Sequence, residues 1–268
     1  MERQKIALVT GASRGIGTYI VDTLIKQGYF VIGVARHEPG LRKALHRHGP
    51  ENFDYFIQDL QEIALLEQLV QAVREKYSYI NVLVNNAGIE RYDYYQNNSR
   101  QLLEKIIHVN LMAPMELTRL FLPDFLQHGG AIINIASLGG KKGIAYNSIY
   151  SATKAGILMW CDGLRQELVD SGTSITVICP GYIAETGMFY DGGVPAPALL
   201  GTSPPQAVAD AVMTAIREQK AEIIVNSGPI RPLLALGQIW PVLGDKIVRW
   251  FGVPSMSKKR IQNSGNGK

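Results

Sequence analysis

Tyr150 and Lys154 lie four positions apart in Tyr-Ser-Ala-Thr-Lys, with Ser137 thirteen residues upstream. These three residue types at this spacing could do chemistry. On a helix, positions i and i+4 stack on one face. An ammonium beside a phenol favours the phenolate and is expected to lower the tyrosine pKa. A phenol at its ordinary value of about 10 is a poor acid or base at neutral pH, whereas one shifted toward about 7 is useful. Ser137 could then hold a carbonyl or hydroxyl oxygen by hydrogen bonds. The set amounts to a proton-transfer site for a carbonyl/alcohol pair. Taken alone, Tyr-x-x-x-Lys reads more readily as a helix surface with a solvated lysine, so the rest of the chain has to decide.

The first deciding segment is Thr10-Gly11-Ala12-Ser13-Arg14-Gly15-Ile16-Gly17, which follows the apolar run Ile6–Val9. After it, Ile20, Val21, Leu24 and Ile25 recur at helical spacing. The glycines therefore stand where a strand turns into a helix. There they permit a tight turn and let backbone N–H groups approach a pyrophosphate, with the helix dipole adding about half a positive charge.

Six motifs follow one another in a recognisable order. They are the glycine turn, Asn85-Asn86-Ala87-Gly88, Asn110, Ser137, Tyr150/Lys154 and Pro180-Gly181. In order and rough spacing this resembles the short-chain dehydrogenase/reductase family, classical type, over about residues 5 to 227. The resemblance implies hydride transfer between a nicotinamide and a carbonyl or secondary-alcohol carbon. Tyr150 would be the general acid in reduction and the general base in oxidation. Lys154 would depress the Tyr150 pKa and hold the nicotinamide ribose, Ser137 would orient the substrate oxygen, and Asn110 would support a water relaying protons to Lys154. From its residue type alone, Asn110 could equally be a buried hydrogen-bonding residue, since Asn inside a helix needs some reason.

Composition allows this. The 268 residues are 46% hydrophobic and 19% charged, with a net charge of +4. Cys161 and Cys179 are too few for a disulfide framework, fit no metal site and read as buried thiols of a reducing compartment. No secretory segment and no run of about 18 apolar residues stands out, so a cytoplasmic location is expected. No nucleic-acid motif is present. His37, His46 and His48 fall in a polar segment and read as surface residues.

The elements that must position these residues are legible as alternation. Strands are expected at Lys5–Thr10, Phe30–Ala35, Phe53–Gln58, Val82–Asn85, Ala131–Ala136, Ile175–Cys179 and Glu222–Val225. Helices are expected to begin near Gly15, Gln61, Arg100, Ser148 and Pro205, with a shorter one near Leu41. The fold class is α/β: a Rossmann-like, doubly wound parallel sheet of about seven strands flanked by helices, with an apolar helical C-terminal extension. Residues 1–228 would form the nucleotide-binding catalytic domain, 229–262 a helical extension packed on it, and 263–268 a flexible tail.

For the cofactor, family members that use NAD carry an acid where this chain has Ala35, and Arg36 follows it. Arg14 is a second cation that could reach the same place. A guanidinium suits a 2′-phosphate, so NADP(H) is favoured over NAD(H). By resemblance, the other cofactor contacts are Gly11, Ser13, Gly15, Ile16, Gly17, Asp59, Leu60, Asn86, Ala87, Gly88, Tyr150, Lys154, Pro180, Gly181, Ile183 and Thr186. Asp59 could also cap a helix. The family often reads Pro-Gly-x-x-x-Thr, but Glu185 stands at that position and Thr186 one later.

Tyr182–Leu200 is apolar and glycine-containing, which reads as a lid over an apolar substrate or as a subunit contact. Pro229–Gly237 and Pro241–Phe251 read as two apolar helices opened by proline, with Lys258-Lys259-Arg260 after them. This segment could touch a membrane surface peripherally, cap the substrate cleft or pair subunits. The family habit implies a homodimer or homotetramer. The leading reading is an NADPH-dependent reductase of a small hydrophobic carbonyl, with alcohol as the reverse substrate. The alternatives are a 3-oxoacyl-carrier-protein reductase, which usually ends near the last strand, and a non-catalytic nucleotide-sensing protein.

Overall fold

The chain is described by a computed structural model covering residues 4–265, with side chains to residue 263. Seven strands form one parallel sheet: β1 (Ile6–Thr10), β2 (Phe30–Ala35), β3 (Phe53–Ile57), β4 (Val82–Asn85), β5 (Gly130–Ile135), β6 (Thr173–Pro180) and β7 (Glu222–Val225). Their order is β3-β2-β1-β4-β5-β6-β7. Every pairing is parallel, with Leu8 opposite both Ile32 and Leu83. The order reverses at β1, so a crevice opens between β1 and β4 at their carboxyl ends. The expected strands are all present, with ends displaced by at most two residues.

Burial on both faces follows from the sequence pattern. Neighbouring residues of a strand point to opposite sides. Ala7 and Val9 enter one core with Ile20 and Leu24 of α1 (Ile16–Lys26) and Val208 and Val212 of α8 (Pro205–Glu218). Leu8 enters the other, with Leu69 and Val73 of α3 (Leu66–Tyr77), Phe121 of α5 (Ala113–His128) and Ile157 of α6 (Ser148–Glu167). Each such aliphatic side chain, fully buried, contributes about 2 kcal/mol from its removal from water. The short helix expected near Leu41 is α2 (Glu38–His48), as long as α1. The helix expected near Gln61 begins only at Leu66, after a single 3₁₀ turn.

Between α4 (Arg100–Ile107) and α5 the helix does not stop but widens into one π-turn, His108–Met112. Such a turn inserts an extra residue and re-aims its neighbours. Here it turns Asn110 inward, leaving it 1% exposed.

The extension holds three helices rather than two: α9 (Arg231–Ile239), α10 (Pro241–Trp250) and α11 (Val253–Gly265). Helix α11 takes in Asn263, where a flexible tail was expected; residues 266–268 lie outside the described residues. Val253 and Met256 of α11 pack with Val194 and, partly buried, Tyr182, Phe189 and Leu200. The Tyr182–Leu200 segment, which includes the short helix α7 (Met188–Asp191), is therefore covered by the chain's own C-terminal helices. No described helix is long and apolar enough to cross a membrane.

Candidate active site

The strand ends and the loops after them enclose a pocket of about 460 Å³. Every cofactor contact expected from the sequence lines it: Gly11, Ser13, Arg14, Gly15, Ile16, Gly17, Arg36, Asp59, Leu60, Asn86, Ala87, Gly88, Tyr150, Lys154, Pro180, Gly181, Ile183 and Thr186. Ser137 lines it as well. Asn110 does not.

The glycine turn is compact because it must be. Gly11 and Gly15 have positive φ, and a Cβ on Gly17 would stand 2.1 Å from the Gly11 carbonyl oxygen. The Thr10 hydroxyl accepts the Asn86 and Ala87 N–H groups at 3.0 and 3.1 Å, and Asn86 Nδ2 donates to the Thr10 carbonyl at 2.9 Å. These bonds hold the β4 loop against the turn. Helix α1 has no side-chain cap and no acid in its first turn. Its first N–H groups, unmatched within the helix, belong to a turn that lines the pocket, which is the donor set an anionic dinucleotide phosphate needs. The residues present fit that group.

Two expectations about charge change in three dimensions. Arg14 lines the pocket with Arg36, and its guanidinium pairs with Asp191 of α7 at 3.2 Å. Arg36 stays at the β2 end, donating to His37 at 3.0 Å, with the Asp59 carboxylate 3.9 Å away. Asp59 caps no α-helix. Its Oδ1 accepts the Gln61 N–H at 3.0 Å within the turn before the 3₁₀ segment.

Tyr150 and Lys154 are 6% and 4% exposed, so neither is a solvated helix-surface residue. The Lys154 ammonium donates to the Ile135 carbonyl at 2.7 Å and lies 5.7 Å from the centre of the Tyr150 ring. The expected lowering of the Tyr150 pKa is not found in the protein alone. Burial raises it, the Glu90 charge raises it further, and a hydrogen bond from Ser137 works against both. Burial also lowers Lys154, from 10.5 to about 8. Removing the phenolate from water costs more than the hydrogen bond from Ser137 returns.

Asn110 supports the site from behind. Its Oδ1 accepts the Ile89 N–H and its Nδ2 donates to the Ile89 carbonyl, both at 2.8 Å, and Nδ2 also reaches Thr153 Oγ1 at 3.3 Å. It thus ties the loop after β4 to α6, one residue from Lys154. Ser137 is extended, with its hydroxyl accepting the Gly139 N–H at 3.0 Å.

Sequence reasoning gave no role to Glu90, Asn147 and Arg260; Glu90 and Arg260 line the pocket beside Tyr92, with Arg260 and Asn147 buried and Glu90 mostly so. Asn147 Nδ2 donates to Glu90 Oε2 at 3.0 Å, and Arg260 Nη2 donates to Glu90 Oε1 at 2.9 Å. Arg260 was read within a basic run. Helical spacing was the available signal: Val253, Met256, Ser257 and Arg260 form one buried face of α11, while Lys258 and Lys259 are exposed. Both cysteines are buried, as expected.

Comparison with known proteins agrees with this geometry. The model of the short chain dehydrogenase family matches residues 5–192. Ketoacyl reductase HetN of Nostoc sp. is 46% identical over 97% of this chain and 93% of its own length. The 3-oxoacyl-(acyl-carrier-protein) reductase FabG of Salmonella typhimurium is 35% identical over 69% of this chain and 75% of its own. A metagenomic short-chain oxidoreductase solved in complex with NADP superimposes with a TM-score of 0.72 at 28% identity, covering 82% of this chain and 96% of that one. The chain belongs to the short-chain dehydrogenases: it is an oxidoreductase of a family that binds a nicotinamide cofactor.

Proposed function

We propose that this short-chain dehydrogenase reduces a ketone carried on a hydrophobic, acyl-derived chain, with NADPH preferred over NADH. The observation that carries this reading is the continuity of one pocket from the glycine turn, past Ser137, Tyr150 and Lys154, to an apolar end lined by Ile144, Phe189, Leu200, Leu234, Val248 and Val253. The C-terminal helices supply the last three, so the extension caps the cleft. A long extension argued against a ketoacyl substrate. HetN, named a ketoacyl reductase, aligns over nearly the whole chain including that region, which restores the acyl reading. FabG aligns over 69% of the chain and supports the same chemistry less completely.

When bound, the reduced nicotinamide supplies a hydride to the carbonyl carbon. Tyr150 gives its proton to the substrate oxygen, leaving a secondary alcohol. Held above its ordinary pKa, Tyr150 has its proton at neutral pH but is a weak acid in the protein alone, so proton transfer needs positive charge beside the phenol to bring that pKa down. Ser137 orients the oxygen. Lys154, fixed by the Ile135 carbonyl, provides the positive charge that steadies the phenolate left behind. Asn110 holds the loop and helix that carry them in register.

NADP preference rests on Arg36 at the end of β2, where Ala35 leaves no acid to accept from a ribose hydroxyl. The neighbour containing NADP is consistent with it. Arg14, drawn to Asp191, contributes less. The outward faces of α9 and α10 expose Ile239, Trp240, Val242 and Trp250, with Lys246 and Arg249 beside them. That composition suits peripheral contact with an anionic lipid surface from the cytoplasm. Self-association would use the outer faces of α5 and α6, where Leu126 and Met159 are exposed.

The test is titration with NADPH and NADH by intrinsic fluorescence, followed by turnover of 3-oxoacyl thioesters of increasing chain length. Tighter NADPH binding and a kcat/KM rising with chain length are expected. Equal dinucleotide binding, or no thioester reduced at any length, would overturn the reading.

A further inference from the structure

The proposed chemistry uses neither Glu90 nor Arg260, yet burying this pair is expensive. Their side chains are 13% and 5% exposed. A buried ion pair rarely stabilises more than an apolar pair of the same volume would, because both ions lose their hydration. Its presence at the edge of a reaction pocket therefore asks for a role other than stability.

The surroundings of Arg260 indicate one. Nη2 donates to Glu90 Oε1 at 2.9 Å and to the Met188 carbonyl at 2.7 Å. The guanidinium centre lies 4.4 Å from the Tyr92 ring and 5.1 Å from the Phe189 ring, near enough for attraction to both. One side chain from α11 thus grips α7 through both backbone and ring, and grips the loop after β4 through both charge and ring. Gly192 makes room for it: a Cβ there would stand 2.4 Å from Arg260 Nη2. On its other side α7 is preceded by Gly187, whose φ of +90° is open to glycine and strained for other residues. Met188 and Phe189 line the pocket. Between two glycines, α7 is held from outside: by the Phe189 ring against Tyr182, 4.6 Å between ring centres, and against Val253 and Met256, and by the Arg260 contacts to Met188 and Phe189.

We propose that Arg260 is a positioning residue that fixes Met188–Asp191 as the closed wall of the substrate end, joining the C-terminal helix to Glu90 across the pocket. The clamp is a structural claim in its own right; its effect on turnover rests on the ketone-reductase reading. Arg14, which pairs with Asp191 near the water-exposed surface, is a weaker second tie because such pairs are screened.

The experiment compares wild type with Arg260→Met and Arg260→Lys by hydrogen exchange of the amides in residues 187–193, by NADPH affinity and by steady-state kinetics. In Arg260→Met, exchange in 187–193 should quicken roughly tenfold or more, the factor expected for one charge-assisted hydrogen bond. KM for the ketone should rise by a comparable factor while kcat and NADPH affinity hold. Arg260→Lys keeps the charge but not the fork, and should fall between. If circular dichroism shows that Arg260→Met does not fold, Arg260→Lys carries the comparison. Unchanged exchange in 187–193 overturns the clamp. Exchange that quickens equally in β1 and α1 reduces Arg260 to a structural residue, and so overturns it too. Faster local exchange with an unchanged KM overturns the role in turnover. If wild type reduces no ketone, the reductase reading fails by itself, and the exchange data still decide the clamp.

Discussion

At the nucleotide end of the pocket, Gly11, Gly15 and Gly17 come from one turn after β1, and Asn86 and Thr10 fasten that turn through backbone groups. At the proposed substrate end, Glu90 and Arg260 meet across 170 residues of chain, with the Met188 carbonyl and Phe189 ring of α7 against the same guanidinium. The first region is local and made largely of main chain. The second is assembled from side chains of separate elements. A site of the first kind tolerates change in what surrounds it but not in its glycines. A site of the second kind can be retuned residue by residue, which is how one fold serves many substrates.

The sharpest way to break this comparison is at the junction of the two ends. Tyr150→Phe should lower kcat by about 10²- to 10⁴-fold, the usual worth of a positioned acid, with NADPH affinity nearly unchanged. Parallel loss of dinucleotide binding would mean that the two ends are not separable. At the nucleotide end, Gly17→Ala places a methyl against the Gly11 carbonyl, where the turn has no room. Dinucleotide affinity should fall by about 100-fold or more by calorimetric titration, since the close backbone approach is lost. A milder change, Arg36→Ala, should reduce the NADPH-over-NADH preference by roughly tenfold and leave the ketone KM alone. Movement of that KM would show the ends to be coupled.

The smallest effect concerns pH. Burial lowers Lys154 from 10.5 to about 8, so the unfolded chain holds that proton more tightly than the folded one. Folding bears the full cost of the buried ammonium below pH 8 and sheds it as pH rises toward 10.5. Lys154→Met should therefore exceed wild type in Tm most clearly below pH 8, with the gap narrowing above it. A gap that widens with pH would mean the lysine is better paired than its surroundings indicate. Comparing the two proteins at each pH removes the opposing trend of Cys161 and Cys179, both raised by burial.

The strands were readable because burial on both faces leaves uninterrupted apolar runs such as Ile6–Val9 and Val82–Val84. The glycine turn and Tyr150/Lys154 were readable because spacing along the chain equals spacing in space when residues share one turn or one helix face. Asn110 was found, but its geometry was not: the π-turn that points it at Ile89 leaves no mark in residue types. The pairing of Arg14 with Asp191 was not read, because nothing in the sequence says that α7 brings Asp191 to it. Helix α11 fell within the expected helical extension up to residue 262 but was not read as a helix of its own, because its basic run hides the buried face that only the packing shows.

By itself, then, the sequence determined what depends on local order: strand and helix alternation, the glycine turn, and the tyrosine, lysine and serine that meet in one pocket. The tertiary structure alone decided what depends on desolvation and on distant pairs. It set the directions of the Tyr150 and Lys154 shifts, the partner of each arginine, and the closing of the substrate end by α11. The physical reason is that charge energetics follow burial and neighbours in space, and neither is a property of a short stretch of chain.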